Sequence, residues 1–199
     1  MSEEFLENLR NIEKDFFSFL DLKKIWKGKE NSLKVVLSRL VKKGKIQRIY
    51  KNFYVLPEKI PNLEKIANQI YFPSYLSFES ALSKYGILSQ IPYTLTFATS
   101  LKTKTIKVLD KKVEYRKIKK ELFFGFKKEK EIFIALPEKA ILDTLYFISM
   151  GKLDLNLKNL DLSKIKKERL ISFSKRFPQK TKTYFILFLI FKNYYMIKV

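Results

Sequence analysis

The sequence contains no cysteine and no histidine. Without cysteine, the chain has no disulfide, no thiolate nucleophile and no cysteine-ligated metal centre. Without histidine, it has no imidazole base, which excludes catalytic groups of the Ser-His-Asp and Cys-His kinds. Only five glycines occur in 199 residues, and they stand too far apart to form a phosphate-binding loop. We therefore predict neither a cofactor nor a bound metal.

Acidic residues are also scarce. The 41 lysines and arginines outnumber the 20 aspartates and glutamates, which gives a formal net charge of +21. This excess favours an acidic partner, with nucleic acid ahead of an anionic membrane or an acidic protein. A lysine-rich, histidine-free composition is also typical of an AT-rich or heat-adapted genome, so genome bias stays open as a second source of the charge.

Long apolar runs are absent as well. The most apolar stretch covers residues 184–191 and is followed by Lys192, which leaves it well short of the roughly 20 residues that span a bilayer. The N-terminal residues 1–7 are acidic and do not resemble a signal peptide. We expect a cytoplasmic protein with no membrane partner. A hydrophobic content of 46% is sufficient for a folded core.

The first 57 residues predict three helices followed by a β-hairpin. Asp21 is expected to cap the second helix and Gly28 to end it, while Asn31 or Ser32 is expected to cap the third helix and Gly44 to end it. The order of these elements predicts a winged helix-turn-helix DNA-binding domain over residues 1–60. The predicted elements are helices at 3–18, 22–26 and 32–43, and strands at 46–50 and 53–56.

The third helix and the hairpin carry the candidate DNA-binding residues. Apolar residues at 33, 36, 37, 40 and 41 follow helical spacing and predict one buried face. Residues 32–57 contain seven basic residues and no acidic one. The hairpin turn is expected at Lys51 and Asn52, because asparagine tolerates a positive φ. The candidates are Ser32, Lys34, Ser38, Arg39, Lys42, Lys43, Lys45, Arg48, Lys51 and Asn52.

These candidates are expected to have two roles. Ser32, Lys34, Ser38 and Arg39 are expected nearest to base edges, and Arg39 is the best candidate for a bidentate contact with guanine. The remaining basic residues are expected to bind phosphates, which raises affinity without specifying sequence. A merely solvated cationic face stays open as the alternative interpretation.

Pro57 and Pro61 predict a linker between this domain and a second, mixed α+β domain over residues 63–199. The predicted class of the whole chain is therefore α+β. Ser77 is expected to cap a helix that ends at Tyr85 and Gly86, and the apolar tail helix is expected to lie in the core. The predicted elements are helices at 63–70, 78–85, 138–149, 163–176 and 183–195, and strands at 94–99, 105–109, 112–118, 122–126 and 131–135.

Four strings resemble motifs of the AbiEi-type antitoxins, which are regulators in viral-defence loci of the abortive-infection, type IV toxin–antitoxin kind. They are LSRLVKKGKIQRI at 37–49, KNFYVL at 51–56, SYLSFESALSKYG at 74–86 and ALPEKAILD at 135–143. They occur in the order of the family and fall within residues 20–149. The chain departs from the family at Lys51-Asn52, where Arg-Gly is usual, and at Tyr85, where relatives often carry histidine.

The resemblance implies a repressor that binds inverted repeats in its own promoter and is also the antitoxin to a nucleotidyltransferase-type toxin. Double-stranded DNA, a homodimer on that DNA and the toxin are the implied partners. Arg116, Glu138, Lys139 and Asp143 are interpreted as a surface for the antitoxin function. The alternative is that Glu138 only complements the helix dipole and Lys139 is only solvated.

Two other functions stay open, although we predict a protein that is not an enzyme. A magnesium-dependent nuclease would use Asp110, Glu114 and Arg116, or Glu129 and Glu131. The spacing of these carboxylates favours this reading only weakly, because Asp110 and Lys111 are typical of a turn. An RNA-binding accessory protein would share the positive charge, but the sequence has no recognisable platform of paired stacking aromatics.

Overall fold

The computed structural model describes residues 2–59 and 61–192, which form a mixed α+β structure, as the sequence predicts. The chain divides into two compact units. The first comprises Met1–Ile66 with Lys107–Asp110, and the second comprises Ala67–Ile106 with Lys111–Val199. None of the helices within the described residues is both long enough and apolar enough to cross a membrane.

The first unit packs three helices on a small antiparallel sheet. Its strands lie in the order β1-β3-β2, and its core contains Leu6, Leu9, Trp26, Leu33 and Leu37. The elements are α1 (Ser2–Arg10), β1 (Phe17–Ser18), α2 (Phe19–Ile25), α3 (Glu30–Lys42), β2 (Gln47–Tyr50) and β3 (Phe53–Val55).

The start of the chain differs from the prediction. The first helix ends at Arg10 and not at residue 18, because Phe17 pairs with Tyr54 and begins a strand. Asp21 is not the cap of α2. Ser18 holds that position, and its hydroxyl accepts a hydrogen bond from the backbone N–H of Asp21 while the Asp21 carboxylate accepts one from the backbone N–H of Ser18. This reciprocal arrangement is a capping box.

The helix α3 begins earlier than predicted and ends as predicted. Lys29 occupies its N-cap position, so Asn31 and Ser32 lie in the first turn. Gly44 follows the helix with a φ of +66°, and Asn52 in the hairpin turn has a φ of +65°. Both are left-handed conformations that these residue types adopt at low cost. The expected helix stop and hairpin are therefore confirmed.

The second unit is built on a six-stranded sheet in the order β6-β7-β5-β4-β9-β8. The pairs β4–β9 and β5–β7 are parallel, whereas β4–β5 and β8–β9 are antiparallel. The helix α6 is buried along most of its length because it packs against α5, α7 and α8. The elements are α4 (Leu63–Ile70), β4 (Ser74–Leu76), α5 (Phe78–Lys84), β5 (Leu95–Thr99), β6 (Lys104–Val108), β7 (Lys111–Lys117), β8 (Phe126–Glu129), β9 (Ile132–Ala135), α6 (Pro137–Ser149), α7 (Lys167–Ser174) and α8 (Gln179–Phe191).

Most of these elements confirm the predicted ones, with four differences. The strand predicted at 122–126 is wrong, since a 3-10 turn over Lys120–Leu122 comes first and β8 starts only at Phe126. The strand β4 was not predicted. The helix α7 starts at Lys167, four residues later than expected, and α8 starts at Gln179, four residues earlier. Residues 193–195 of the predicted last helix lie outside the described residues.

The tail helix is only half in the core. Phe185, Phe188 and Leu189 are buried, as expected. Leu187 and Phe191, however, are more than half exposed, so the prediction that this helix lies in the core, and does not form a dimer or partner face, holds for only part of its apolar residues.

Candidate nucleic-acid interface

Three leucines determine which side chains α3 turns outward. Leu33, Leu37 and Leu40 are at most 4% exposed and pack into the core of the first unit. Because successive residues of an α-helix are turned by about 100°, the opposite face is the one that solvent reaches. All ten residues predicted to bind DNA are exposed. A partner in solution could therefore reach all ten.

The candidates do not form one patch, because nine of them line two separate flanks of α3, while Lys51 lies in the hairpin turn. The first flank is a groove of about 670 Å³ with an apolar floor that includes Phe19 and Tyr54. Five of the candidates line it, namely Lys34, Ser38, Lys42, Arg48 and Asn52.

The second flank is a smaller hollow of about 310 Å³ beside Trp26 and the start of α1. Four other candidates line it, namely Ser32, Arg39, Lys43 and Lys45. Arg39, the expected guanine contact, therefore lies on the side of α3 away from Lys34.

One acidic residue modifies the charge of the groove. Glu30 precedes the acid-free window of the sequence by two residues, yet it lies on the groove and forms ion pairs with Lys23 at 2.8 Å and Lys34 at 3.1 Å. Hydrogen bonds from these two lysines hold the pKa of Glu30 below its usual value. Lys34 is therefore partly neutralised, and Lys42 and Arg48 are the main cations of the groove.

The hydroxyl of Ser32 is engaged within the first unit. It donates to the backbone carbonyl of Lys29 at 2.6 Å and accepts from the indole Nε1 of Trp26 at 3.2 Å. These bonds fix the first turn of α3 against the core, and they disfavour the base contact expected of Ser32.

Sequence reasoning missed two residues on the outward face. Asn31 and Val35 are exposed, and Val35 is 49% exposed although it is apolar. Their exposure could have been predicted from the sequence, because in a helical projection both residues lie opposite Leu33 and Leu37. Asn31 was interpreted only as a helix cap, and Val35 is apolar, so neither was a candidate for DNA binding.

The second group of predicted residues lies inside the second unit. Glu138, Lys139 and Asp143 are at most 1% exposed. The expectation that they form a surface is wrong, and so is the alternative that Lys139 is merely solvated. The reason is that α6 is covered by neighbouring helices on several sides, so that even its charged first turn is enclosed.

Lys139 and Asp143 form a buried ion pair that is completed by two hydroxyl groups. The Lys139 ammonium also donates to the Tyr75 hydroxyl at 2.9 Å. The Asp143 carboxylate accepts from Tyr75 at 2.9 Å and from Ser77 at 2.8 Å. Ser77 precedes α5 as predicted, but its side chain bonds to Asp143 and does not cap the helix.

Aromatic rings enclose the buried ammonium. Its Nζ lies 5.2 to 5.4 Å from the ring centres of Tyr75, Phe124 and Phe177, within the range of cation–π attraction. Burial lowers the pKa of Lys139 and raises that of Asp143, while their mutual attraction opposes both changes. A buried, paired cluster with these contacts holds α6, β4 and the start of α5 together.

Arg116 is part of a different set of contacts. Its guanidinium binds Glu79 at 2.7 Å and Glu114 at 3.1 Å, and it lies over the ring of Phe78. Glu138 in turn accepts a hydrogen bond from the backbone N–H of Lys166 at 2.9 Å. Arg116 is therefore not brought together with the other three predicted residues.

Tyr85 stands where the resembling family often carries histidine. Its hydroxyl donates to the carbonyl of Ala135 at 2.9 Å. Burial, and then the negative charges of Glu129 and Glu138, raise its pKa to about 12. Tyr85 is thus a neutral hydrogen-bond donor and not a base at neutral pH.

The carboxylates of the nuclease alternative are paired with cations. Glu114 contacts Lys112 at 2.6 Å, and Glu129 contacts Lys127 at 2.7 Å. Within residues 2–59 and 61–192, no three potential ligand side chains come close enough to hold a metal ion.

The chain matches no family model and no curated protein. The role of the motif strings therefore has to be inferred from their positions in the structure. The strings at 74–86 and 135–143 meet at the cluster of Tyr75, Ser77, Lys139 and Asp143, which is interior. The residues of this cluster therefore stabilise the second unit, and they are not exposed for contact with a partner.

We expect Lys139→Met to destabilise the second unit by about 3–5 kcal/mol, because it leaves the Asp143 carboxylate buried without its cation. The measurement is urea unfolding of the full chain followed by far-ultraviolet circular dichroism. The double variant Lys139→Met/Asp143→Leu should recover much of the loss, since it removes both charges. The control is Lys127→Ala at an exposed ion pair, which should cost less than about 1 kcal/mol. Equal effects of Lys139→Met and Lys127→Ala would contradict the assignment.

Proposed function

We propose that the first unit is a winged helix-turn-helix domain that binds double-stranded DNA and represses transcription. The observation that carries the proposal is the outward face of α3, which is exposed and flanked by cations on both sides. An α-helix is about 10–12 Å across, and the major groove of B-DNA is about 12 Å wide. The helix would lie in that groove, and the β2–β3 hairpin would lie along the adjacent backbone.

The two flanks suit the two strands of a duplex. Lys42 and Arg48 would contact phosphates of one strand, while Lys43 and Lys45 would contact those of the other. Arg39 starts at the edge of the outward face, and its long side chain would reach guanine from there. Cations on both sides of α3 therefore support the proposal that the helix lies between the two DNA backbones. A single cationic patch would not support it.

The same geometry favours DNA over RNA as the partner. The major groove of A-form RNA is deep and narrow, and a helix such as α3 does not enter it. A duplex-RNA partner would have to be recognised across the shallow minor groove by other residues. Binding of RNA and DNA with equal affinity would therefore contradict the arrangement.

We further propose that the second unit is the antitoxin part, acting against a nucleotidyltransferase-type toxin, and that the repressor regulates the operon of both proteins. The support is the resemblance of residues 74–86 and 135–143 to AbiEi-type antitoxins. Because Lys139 and Asp143 are interior, the toxin would be recognised by other residues of the second unit. An inverted-repeat operator would be bound by a homodimer.

We expect the affinity for duplex DNA to fall with salt, with log Kd changing by about 4 to 5 per unit of log salt if four to six of the cations meet phosphates. Lys42→Ala should weaken binding to specific and unrelated duplexes alike and flatten the slope by about one unit. Arg39→Ala should cost about 1–3 kcal/mol on the preferred duplex only.

Fluorescence anisotropy of labelled duplexes at several salt concentrations measures these quantities. The matched control is Lys127→Ala, which removes an exposed lysine of the second unit and should change nothing. Binding that does not depend on salt, or a Lys127→Ala effect as large as that of Lys42→Ala, would contradict the proposal.

The antitoxin role predicts that the full chain restores growth to cells that express a nucleotidyltransferase encoded beside its gene. A Lys42→Ala/Arg48→Ala chain should restore growth equally well at matched expression, because the two functions use different units. Growth rate is the measurement, with an empty vector as the control. Failure of the unaltered chain to restore growth would overturn the antitoxin role while leaving DNA binding intact.

A further inference from the structure

Asn31 and Val35 occupy the middle of the outward face of α3. They are four residues apart, so they lie one above the other on the same side of the helix. Steps of about 100° per residue turn both roughly opposite to Leu33. In the proposed DNA complex, this part of the helix points at the base pairs, while Lys34 and Arg39 flank it.

Val35 is an apolar side chain in polar and basic surroundings. It is 49% exposed, and Lys34, Arg39 and Lys42 around it are exposed too. Among the residues of α3, it is the only large hydrophobic side chain with this degree of exposure. A single valine is too small for a protein-docking patch, which covers several hundred Å². Its size is suited to contact with a single apolar group on a partner whose surface is otherwise polar.

The major groove offers such a group. Thymine presents a C5-methyl group there, and apolar side chains contact it, whereas adenine presents N6 and N7, which an asparagine amide can bind in a bidentate manner. Along the helix axis, Asn31 and Val35 are about 6 Å apart, which corresponds to about two base-pair steps of 3.4 Å. Asparagine therefore matches adenine, valine matches the thymine methyl group, and the spacing of the two residues matches two base-pair steps.

We propose that Asn31 and Val35 specify A·T base pairs about two steps apart in the operator. Asn31 binds the adenine edge, and Val35 contacts a thymine methyl group. This inference rests on the proposed DNA-binding function, and it names the bases that the site prefers. It adds two uncharged residues to Arg39 as determinants of specificity, while Arg48 and the lysines on both flanks supply affinity.

The test uses the full-length chain and a duplex that this chain selects from a randomised library. Each thymine is replaced in turn by deoxyuridine, which removes only the methyl group, and Kd is measured by anisotropy. We expect one position in each half-site at which affinity falls about 3- to 5-fold, the value of one buried methyl group. Val35→Ala should lose a similar factor on the thymine duplex and show no further loss with deoxyuridine.

Asn31 is tested in the same way with 7-deazaadenine, which lacks the N7 acceptor. We expect about a fivefold or larger loss at one adenine, and no further loss at that position for Asn31→Ala. The matched control is Leu187→Ala, a truncation of an exposed aliphatic residue in the second unit, which should leave affinity unchanged. The fluorescence of Trp26, the only tryptophan, verifies that each variant of α3 is folded.

The outcomes separate this inference from the function on which it rests. If no thymine position responds to deoxyuridine, or if Val35→Ala keeps the full response, Val35 does not contact thymine and the inference is overturned. A Leu187→Ala loss equal to that of Val35→Ala would also overturn it, because the effect would then not be local to α3. If the unaltered chain selects no duplex at all, the proposed function itself fails.

Discussion

The burial of three leucines on one side of α3 is the constraint on which the proposed DNA-binding surface depends. Leu33, Leu37 and Leu40 fix the rotation of the helix about its own axis. That rotation sends Asn31 and Val35 outward and divides the basic residues between two flanks. Removing methylene groups from such a core costs several kcal/mol, so the rotation is strongly determined. The packing of these leucines therefore decides which of the basic residues share a flank.

In the second unit, a buried ion pair fixes the arrangement of three elements, whereas in the first unit apolar packing fixes the orientation of α3. The pair of Lys139 and Asp143 costs free energy to desolvate, and its hydrogen bonds with Tyr75 and Ser77 offset part of that cost. Because these four residues come from α6, β4 and the start of α5, the pair is satisfied in one arrangement of the three elements. The motif strings at 74–86 and 135–143 are therefore explained as one structural unit.

Local signals in the sequence predicted much of the fold. Gly44, Asn52 and Pro137 each have a backbone preference that marks a helix stop, a hairpin turn or a helix start, and all three were placed correctly. The end of α1 was not predictable in this way. Phe16 continues the helical spacing, but Phe17 next to it pairs with Tyr54, which is 37 residues away, and only the folded sheet reveals that partner.

The sequence predicted which residues of α3 and the hairpin are exposed, but not how they are grouped on the two flanks of α3. The ten predicted residues are all exposed, yet Asn31 and Val35 on the same helix were not among them, because Asn31 was interpreted as a helix cap and Val35 is apolar. Glu138, Lys139 and Asp143 were interpreted as a surface together with Arg116, since no local pattern indicates that neighbouring helices cover the charged side chains of α6. Burial of that kind is a property of tertiary packing.

Lysine footprinting tests the central claim most directly, because lysines are spread over the whole chain. The full-length protein is acetylated with and without its selected duplex, and modification at each lysine is quantified by mass spectrometry. The account predicts that DNA protects Lys42, Lys43, Lys45 and Lys51, while Lys127 and Lys128 react as they do in the free protein. Protection confined to lysines of the second unit, with those of α3 and the hairpin unchanged, would contradict it.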